Sequence, residues 1–302
     1  MHSKTVRGLI VCSTVGVGHN TLNSGELGLR NSKKMIEILE LIDQGEKTLA
    51  SSGKFGRFGG IFVPETLITC LKKLENEFNW ALHDPEFQTE LSIALKDYVG
   101  RETPLYFAKR FTNYYKNENG EGQEIYLKRE DLTYSGAHKI NNAIAQVMLA
   151  KRMGRKSIAA TTGVGQHGVA TAAACAKLGL DCTIFMGNID NERQSSNVHS
   201  MKHLGAEVKS VAGTFKDATS EAIRNWTENL EGSYYLAGIL VGPHPCPSMV
   251  REFQTVIEKE TRKQAMEKWG EKLDVLVACV GSGSNALGLF REFVRDENAR
   301  LI

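Results

Sequence analysis

The sequence lacks long apolar runs, an excess of charge and a recognisable leader, and each absence removes a class of protein. The longest apolar stretches, such as residues 275–280, are strand-sized and too short to cross a bilayer. Lys and Arg number 37 against 35 Asp and Glu, without a basic block, so nucleic acid is not an expected partner. The first 16 residues lack the long apolar region and the cleavage pattern of a secretory signal, and we expect a cytoplasmic protein.

Paired cysteines are also missing. Without a CxxC pair, the sequence predicts neither a disulfide framework nor a zinc cluster, and we expect no metal site. Buried reduced thiols are the expectation for all six cysteines, which are Cys12, Cys70, Cys175, Cys182, Cys246 and Cys279.

Strand-like and helix-like segments alternate through most of the chain. With 302 residues, 41% of them hydrophobic, the chain can bury a large core as two domains or one large α/β unit. Apolar strands alternating with helices predict a parallel sheet covered on both faces. Strands are predicted over residues 124–131, 157–161, 181–187, 206–211, 233–239 and 273–280. Helices are predicted over residues 64–78, 85–98, 138–153, 168–180, 191–204 and 214–230, and from about residue 286.

Residues 1–53 carry no secure motif, and we treat them as an unassigned N-terminal extension. They contain a possible strand at residues 7–12, a glycine-rich turn at 15–18 and a helical pattern at 35–49.

A small-residue loop, GSGSN at residues 281–285, lies between a predicted buried strand and a helix. Backbone N–H groups and the positive end of a helix converge in such a loop, which favours phosphate. Gly281 and Gly283 permit close approach of the backbone, while Ser284 and Asn285 can donate hydrogen bonds. An N-capped strand-to-helix turn without a ligand is an equal alternative from the loop alone.

A second loop, TTGVGQHG at residues 161–168, also follows a strand and opens a helix. Gly163, Gly165 and Gly168 match the spacing of a dinucleotide-binding loop, and Asp190 could serve as its ribose acid. That fingerprint usually follows the first strand of its domain, whereas a lysine-bearing helix precedes it here. His167 alone is more often an ordinary residue of a helix N-terminus.

Lys139 stands in the first turn of a predicted helix that is apolar on one face. The helix dipole opposes a positive charge there, which lowers the amine pKa and favours a nucleophile that forms Schiff bases. A solvated lysine is the commoner explanation for one such residue. Together with a phosphate loop much later in the chain, however, Lys139 provides what pyridoxal phosphate requires at its two ends.

Several long motifs resemble the tryptophan synthase β chain, a fold-type II pyridoxal phosphate enzyme. The similarity runs from about residue 54 to the C-terminus. The motifs are KFGRFGGIFVPE (54–65), DPEF (84–87), YLKREDLTYSGAHKINNA (126–143), GVGQHGVATA (163–172), FMG, D, ERQ and NV within 185–198, GPHPCP (242–247) and VACVGSGSNA (277–286).

The resemblance implies a two-domain α/β fold with parallel or mostly parallel sheets. An N-terminal domain would comprise residues 54–104 and 138–230, and a cofactor-phosphate domain residues 105–137 and 231–302. The family continues for about a hundred residues beyond the position of Ile302. The second domain is therefore expected to be incomplete.

The resemblance also implies a reaction and its residues. The family replaces the hydroxyl of L-serine by indole to form L-tryptophan and water. Lys139 matches the Schiff-base lysine, which also moves the Cα proton, and its neighbour His138 matches a phosphate contact. The matched phosphate cup is Gly281, Ser282, Gly283, Ser284 and Asn285. The loop that receives the substrate carboxylate is Thr162, Gly163, Gly165, Gln166 and His167. The implied partners are a second copy of the chain and a tryptophan synthase α chain or domain.

Three positions depart from the family pattern. Thr161 stands where the family has its catalytic glutamate, Val164 replaces an alanine and Ser282 replaces a glycine. A neutral threonine cannot act as the acid or base that the glutamate provides. Two alternatives follow: a serine deaminase-type lyase, or a non-catalytic remnant of the family.

Overall fold

The computed structural model describes residues 7–11, 53–270, 273–297 and 299–302. The chain divides into two compact units. Unit 1 comprises residues 1–60, 102–131 and 254–302, and unit 2 comprises residues 61–101 and 132–253. The predicted domain boundaries at residues 104, 137 and 230 remain predictions.

Unit 2 contains a four-stranded, wholly parallel sheet in the order β8-β7-β6-β9. Its strands are β6 Ser157–Thr161, β7 Asp181–Gly187, β8 Glu207–Val211 and β9 Ser233–Tyr235. In register, Thr161 pairs with Phe185 and Ala159 with Tyr235, so the ends of β6, β7 and β9 lie side by side. The predicted α/β fold with a parallel sheet is confirmed.

Helices accompany the sheet of unit 2, and most of them bury apolar residues. They are α1 Glu65–His83, α2 Pro85–Ile93, α4 Lys139–Arg152, α5 Gln166–Leu178, α6 Asn188–Arg193, α7 Ser195–His203, α8 Phe215–Glu228 and α9 Cys246–Gln254, with a π-helix over Ala94–Val99. In α1 the predicted spacing places Leu67, Leu71, Leu74 and Phe78 in the core. Asp84 caps α2 through Glu86 and Phe87, and Gly100 ends the π-helix at a positive φ of 89°.

Unit 1 contains a five-stranded sheet in the order β11-β10-β1-β5-β4. Its strands are β1 Arg7–Val11, β4 Leu105–Phe107, β5 Glu124–Lys128, β10 Val275–Ala278 and β11 Arg300–Leu301, and β2 Lys54–Phe55 and β3 Phe58–Gly59 form a separate hairpin. β1 pairs in parallel with both β5 and β10, while β4 runs antiparallel to β5. The possible strand at the N-terminus is therefore an interior strand of this sheet.

In the described part of unit 1 the α-helices are α3 Lys109–Tyr114, α10 Val256–Trp269 and α11 Ser284–Phe290. The sequence predicted neither α3 nor β4, nor the helices over residues 246–269. Lys128 of β5 is fully buried, where its ammonium group donates to Glu260 of α10 over 2.7 Å and to the Thr103 carbonyl oxygen over 2.7 Å. The paired charge satisfies a lysine that burial would otherwise penalise.

Some predictions need correction or fall outside the described residues. The single helix predicted over residues 191–204 is two helices, because Gln194 leaves helical geometry between them. Cys279 is exposed and Cys70 half-buried, so the expectation of burial holds only for Cys175, Cys182 and Cys246. Cys12, the turn at 15–18 and the helical pattern at 35–49 lie outside the described residues. Within the described ranges no helix is long and apolar enough to span a membrane.

Candidate active site

Lys139 is the first residue of α4 and is buried in unit 2. Its side chain is 8% exposed, and His138 before it is 3% exposed. The Nζ atom donates a hydrogen bond over 2.6 Å to the carbonyl oxygen of Gly238, in the segment that follows β9. The solvated lysine that the sequence left open is therefore excluded.

Burial lowers the pKa of Lys139 from its ordinary value of 10.5 to about 8. Removing the ammonium group from water disfavours its charged form, so a much larger fraction of the amine is neutral near physiological pH. The sequence predicted a lowered pKa from the helix dipole, whereas the cause that the structure identifies is desolvation. A neutral amine is what a reaction with an aldehyde requires.

His167 packs beside the same carbonyl segment. A Cβ atom on Gly238 would lie 2.5 Å from three ring atoms of His167, so the ring lies directly against the glycine backbone. The Nε2 atom lies 3.2 Å from the carbonyl oxygen of Leu236, which can only accept, so Nε2 carries a proton. Burial, and secondly the charge of Lys139, lower the pKa of His167 to about 4. The imidazole is therefore neutral at physiological pH.

Hydrogen bonds fix the loop between β6 and α5, and its tip is exposed to solvent. The Thr162 hydroxyl accepts from the Gly165 backbone N–H over 3.2 Å, and Asn197 donates to the Val164 carbonyl oxygen over 2.8 Å. Gly165 has a positive φ of 93°, and a Cβ there would lie 2.5 Å from the Cβ of Asn197, so only glycine fits. Val164 is 57% exposed at the tip.

This loop leads directly into the 13-residue helix α5, which begins at Gln166. A helix N-terminus presents backbone N–H groups and a positive dipole, which together favour an anion. This loop and the first turn of α5 contain all five residues predicted for the substrate carboxylate, Thr162, Gly163, Gly165, Gln166 and His167, and that role stays a prediction. His167 also lies close to Lys139.

Thr161, at the end of β6, faces a tyrosine that sequence reasoning missed. The Thr161 hydroxyl lies 3.3 Å from the hydroxyl of Tyr235, the last residue of the adjacent strand β9. Burial raises the pKa of Tyr235, so both groups are neutral hydroxyls. Gly238, which receives the Lys139 hydrogen bond, was missed as well. Both residues fall within the strand predicted over residues 233–239, and nothing else in the sequence indicated them; the observed strand ends earlier, at Tyr235.

The predicted phosphate loop belongs to unit 1. It connects β10 to α11, and Gly283 precedes the helix with a positive φ of 85°. A Cβ on Gly281 would meet nothing within 4 Å, so the space beside this glycine is open. The hydroxyls of Ser282 and Ser284 lie 3.4 Å apart, and the Asn285 amide donates to the Cys279 carbonyl oxygen over 3.3 Å. Asn285 thus supports the loop from inside, where it is 3% exposed.

Comparison with known proteins identifies relatives in sequence and in fold. Residues 97–302 match the sequence model of a family described as pyridoxal-phosphate dependent enzyme. Diaminopropionate ammonia lyase from Escherichia coli, solved in apo form, is similar with a TM-score of 0.57 and 18% identity, over 81% of this chain and 66% of that one. The processed form of threonine deaminase isoform 2 from Solanum lycopersicum is similar with a TM-score of 0.55 and 19% identity, over 76% of this chain and 55% of that one. Serine racemase from maize is similar with a TM-score of 0.54 and 16% identity, over 72% of this chain and 61% of that one.

These structural similarities support the fold. The chain spans from just over half to about two thirds of the length of those three proteins. Their identities are low, so their reactions are not transferred to this chain by the comparison alone.

The described residues suit the cofactor of this family. Pyridoxal phosphate needs an amine for its aldehyde, and Lys139 offers a buried amine whose pKa is about 8. Its phosphate needs space and donors, and in unit 1 the loop at Gly281 has open space beside its backbone and carries two serine side chains. The chain therefore belongs to the pyridoxal-phosphate dependent enzyme family, with the fold-type II architecture, and its cofactor is pyridoxal 5'-phosphate.

Proposed function

We propose that the chain catalyses the reaction of the tryptophan synthase β chain, in which indole replaces the hydroxyl of L-serine to give L-tryptophan and water. The long motifs around Lys139, in the loop after β6 and at residues 242–247 support this specific assignment. The observation that carries it is the buried Lys139 amine, 2.6 Å from the Gly238 carbonyl oxygen and beside the neutral ring of His167.

Lys139 has two roles in this proposal. Its neutral amine would hold the cofactor through the aldehyde, and the same amine would take and return the proton at the Cα atom of the amino acid. The bound cofactor supplies an electron sink for the charge that develops at Cα. Because burial sets the pKa of Lys139 at about 8, the amine can act as an acid or a base near neutral pH.

The phosphate of the cofactor is assigned to His138 and to the loop of Gly281, Ser282, Gly283, Ser284 and Asn285. Hydroxyl and backbone donors of a loop before a helix suit a phosphate, which accepts hydrogen bonds only. Ser282, at a position where the family has glycine, adds a hydroxyl 3.4 Å from that of Ser284.

The substrate carboxylate is assigned to Thr162, Gly163, Gly165, Gln166 and His167. The N-terminus of α5 favours an anion without a cationic side chain. His167 can contribute its backbone N–H while its neutral ring supports Gly238. This assignment explains the glycine spacing of the loop without a nucleotide.

A second candidate is a serine deaminase-type reaction, which converts L-serine to pyruvate and ammonia. The observation that favours it is Thr161, which faces the Tyr235 hydroxyl where the tryptophan synthase β chain has a glutamate. At position 161 a threonine offers no carboxylate to accept from the indole N–H, so indole would be held less well. Loss of the serine hydroxyl is common to both reactions and does not separate them. Both candidates use L-serine and the same lysine.

The test begins with the cofactor. Purified chain mixed with pyridoxal phosphate should develop the violet absorption of lysine-bound cofactor, and Lys139→Ala should abolish it. Lys151→Ala is the matched control, because Lys151 lies in the last turn of the same helix and donates to the exposed end of α5 at the Leu178 carbonyl oxygen.

L-serine is then added with and without indole, and the products are identified by chromatography. Tryptophan supports the synthase, and pyruvate with ammonia independent of indole supports the deaminase. Absorption without either product would favour the non-catalytic alternative. Assembly as a homodimer, and with an α chain, is proposed with the synthase function, and sedimentation with and without an α chain tests it.

A further inference from the structure

The segment that presents the Gly238 carbonyl oxygen leaves the sheet of unit 2 just before this residue. β9 pairs with β6 as far as Tyr235, and the Leu236 backbone N–H still donates to the Ala159 carbonyl oxygen over 2.9 Å. The next residue, Ala237, bonds instead to a side chain of α4. The position of Gly238 is therefore set from the helix.

Gln146 replaces the missing strand for Ala237. Its Nε2 donates to the Ala237 carbonyl oxygen over 2.7 Å, and its Oε1 accepts from the Ala237 backbone N–H over 3.2 Å. Ala237 thus makes both of its backbone hydrogen bonds with the Gln146 amide, as a residue of an antiparallel pair does with the residue opposite. A primary amide is the side-chain group that can supply both a donor and an acceptor in this way.

The Gln146 amide is itself held in one orientation. Oε1 also accepts from the Tyr234 hydroxyl over 3.0 Å, and Nε2 also donates to the Oδ1 of Asn142 over 2.7 Å. Asn142 adds a second donor to the Ala237 carbonyl oxygen, over 2.8 Å. Gln146 and Asn142 are fully buried, so water does not compete for these bonds.

Lys139, Asn142 and Gln146 are spaced by three and four residues, which places them on one face of α4. All three bind consecutive carbonyl groups of the segment after β9: two of them bind Ala237, and Lys139 binds Gly238. A residue that fixes Ala237 thereby fixes the acceptor of the Lys139 amine.

We propose that Gln146 is a positioning residue for Lys139, which acts by holding Ala237 so that the Gly238 carbonyl oxygen orients the amine for attachment to the cofactor. This role rests on the proposed function of Lys139. It assigns to Gln146 no contact with the cofactor or the substrate.

The test separates attachment from binding. Dissociation constants are measured for pyridoxal phosphate and for pyridoxine 5'-phosphate, which carries the same phosphate but no aldehyde and cannot react with lysine. Borohydride reduction followed by peptide mass spectrometry measures the fraction of Lys139 that carries the cofactor. Gln146→Met keeps similar volume and removes both hydrogen-bonding groups, and Leu149→Ala is the control for destabilisation, because it removes buried volume from the same helix.

Gln146→Met should weaken pyridoxal phosphate binding and reduce the Lys139 adduct about tenfold, the effect expected when one buried hydrogen-bonding residue is lost. Its affinity for pyridoxine 5'-phosphate should stay unchanged, and Leu149→Ala should change neither affinity. Equal loss for both ligands, or no loss for either, would contradict the positioning role.

If Gln146→Met does not fold, as judged by circular dichroism, Asn142→Ala replaces it. This variant removes one of the two donors to the Ala237 carbonyl oxygen and should give a smaller loss confined to pyridoxal phosphate. The proposed function is tested separately, in the unaltered chain. If that chain binds pyridoxal phosphate but forms no Lys139 adduct, the proposed function is wrong, whatever the variants show.

Discussion

The imidazole ring of His167 fills the space in which Gly238 would carry a side chain, at 2.5 Å from the position of a Cβ atom. The two residues belong to different parts of unit 2: His167 to the first turn of α5, and Gly238 to the segment after β9. Their contact ties the helix assigned to the substrate carboxylate to the carbonyl group that binds Lys139. A substitution at either residue should therefore alter the position of the Lys139 amine.

Gly238→Ala should destabilise the chain and reduce attachment of the cofactor. The added methyl group overlaps the His167 ring, which is buried and cannot move away freely, and overpacking of this kind costs about 1–3 kcal/mol. Urea unfolding gives the loss of stability, and borohydride reduction gives the Lys139 adduct. In the control, Gly205→Ala, a Cβ meets nothing within 4 Å and only the strain of its positive φ is added. An adduct equally reduced in both variants would argue against the His167 contact.

The pKa of His167 predicts a loss of stability in mild acid. Its folded pKa, about 4, is below the ordinary value of 6.5, so the unfolded chain takes up the proton first as the pH falls. The stability from the neutral ring is complete above pH 6.5 and should decline by roughly 2–3 kcal/mol as the pH falls to 4. Urea unfolding across this range measures it. His167→Gln, which keeps a donor for the Leu236 carbonyl oxygen, should lose that part of the pH dependence; an unchanged slope would contradict the prediction.

Lys139→Met should show the cost of burying the lysine. In the cofactor-free chain the folded pKa, about 8, is below the ordinary 10.5, so the unfolded state binds more protons between these two values. The stability of the unaltered chain should therefore rise through this window, by roughly 1–3 kcal/mol relative to Lys139→Met. Below pH 8 the difference between the two proteins should be constant. Parallel unfolding curves from pH 7 to 10.5 provide the measurement, and an invariant difference would mean that the lysine is not desolvated.

Thr161→Glu should raise the rate of tryptophan formation if the missing carboxylate limits the synthase reaction. The new side chain would enter beside the Tyr235 hydroxyl, which can donate to it. The gain should reach about a hundredfold or more, since a positioned acid or base contributes roughly a hundredfold to ten-thousandfold. Thr161→Gln is the matched control, because it has the same shape without the acid.

The readout is tryptophan formed from L-serine and indole, together with pyruvate formed from L-serine alone. If Glu and Gln give the same rates in folded protein, the assignment of position 161 to the catalytic acid is wrong. A rise in pyruvate alone would favour the deaminase.

Local patterns predicted much of unit 2. Alternation of apolar strands and helices identified β6, β7 and β8, and glycines at positive φ ended α4 and the π-helix where breaks were expected. The predicted helix over residues 191–204 missed the break at Gln194, because no proline or glycine marks it.

The polar residues of the site were harder to predict. Asn142 and Gln146 look like surface residues of an amphipathic helix, but they are buried because the backbone after β9 offers them partners. Tyr235 was placed in a strand, whereas its hydroxyl contact with Thr161 depends on the order of strands in the sheet. These hydrogen-bond partners come from distant parts of the chain, so local periodicity cannot predict them.

The position of β1 bears on how the protein is made. Its neighbours in the sheet, β5 and β10, follow it by more than a hundred and more than two hundred residues, so this sheet cannot close until β10 has left the ribosome. The segments of unit 2 are complete before β10 has been synthesised. An early strand that waits so long with open edges exposes hydrogen-bonding groups to other chains. We therefore expect the yield of native protein to fall as the concentration of newly made chains rises. The yield should also fall when synthesis of β10 lags further behind that of β1.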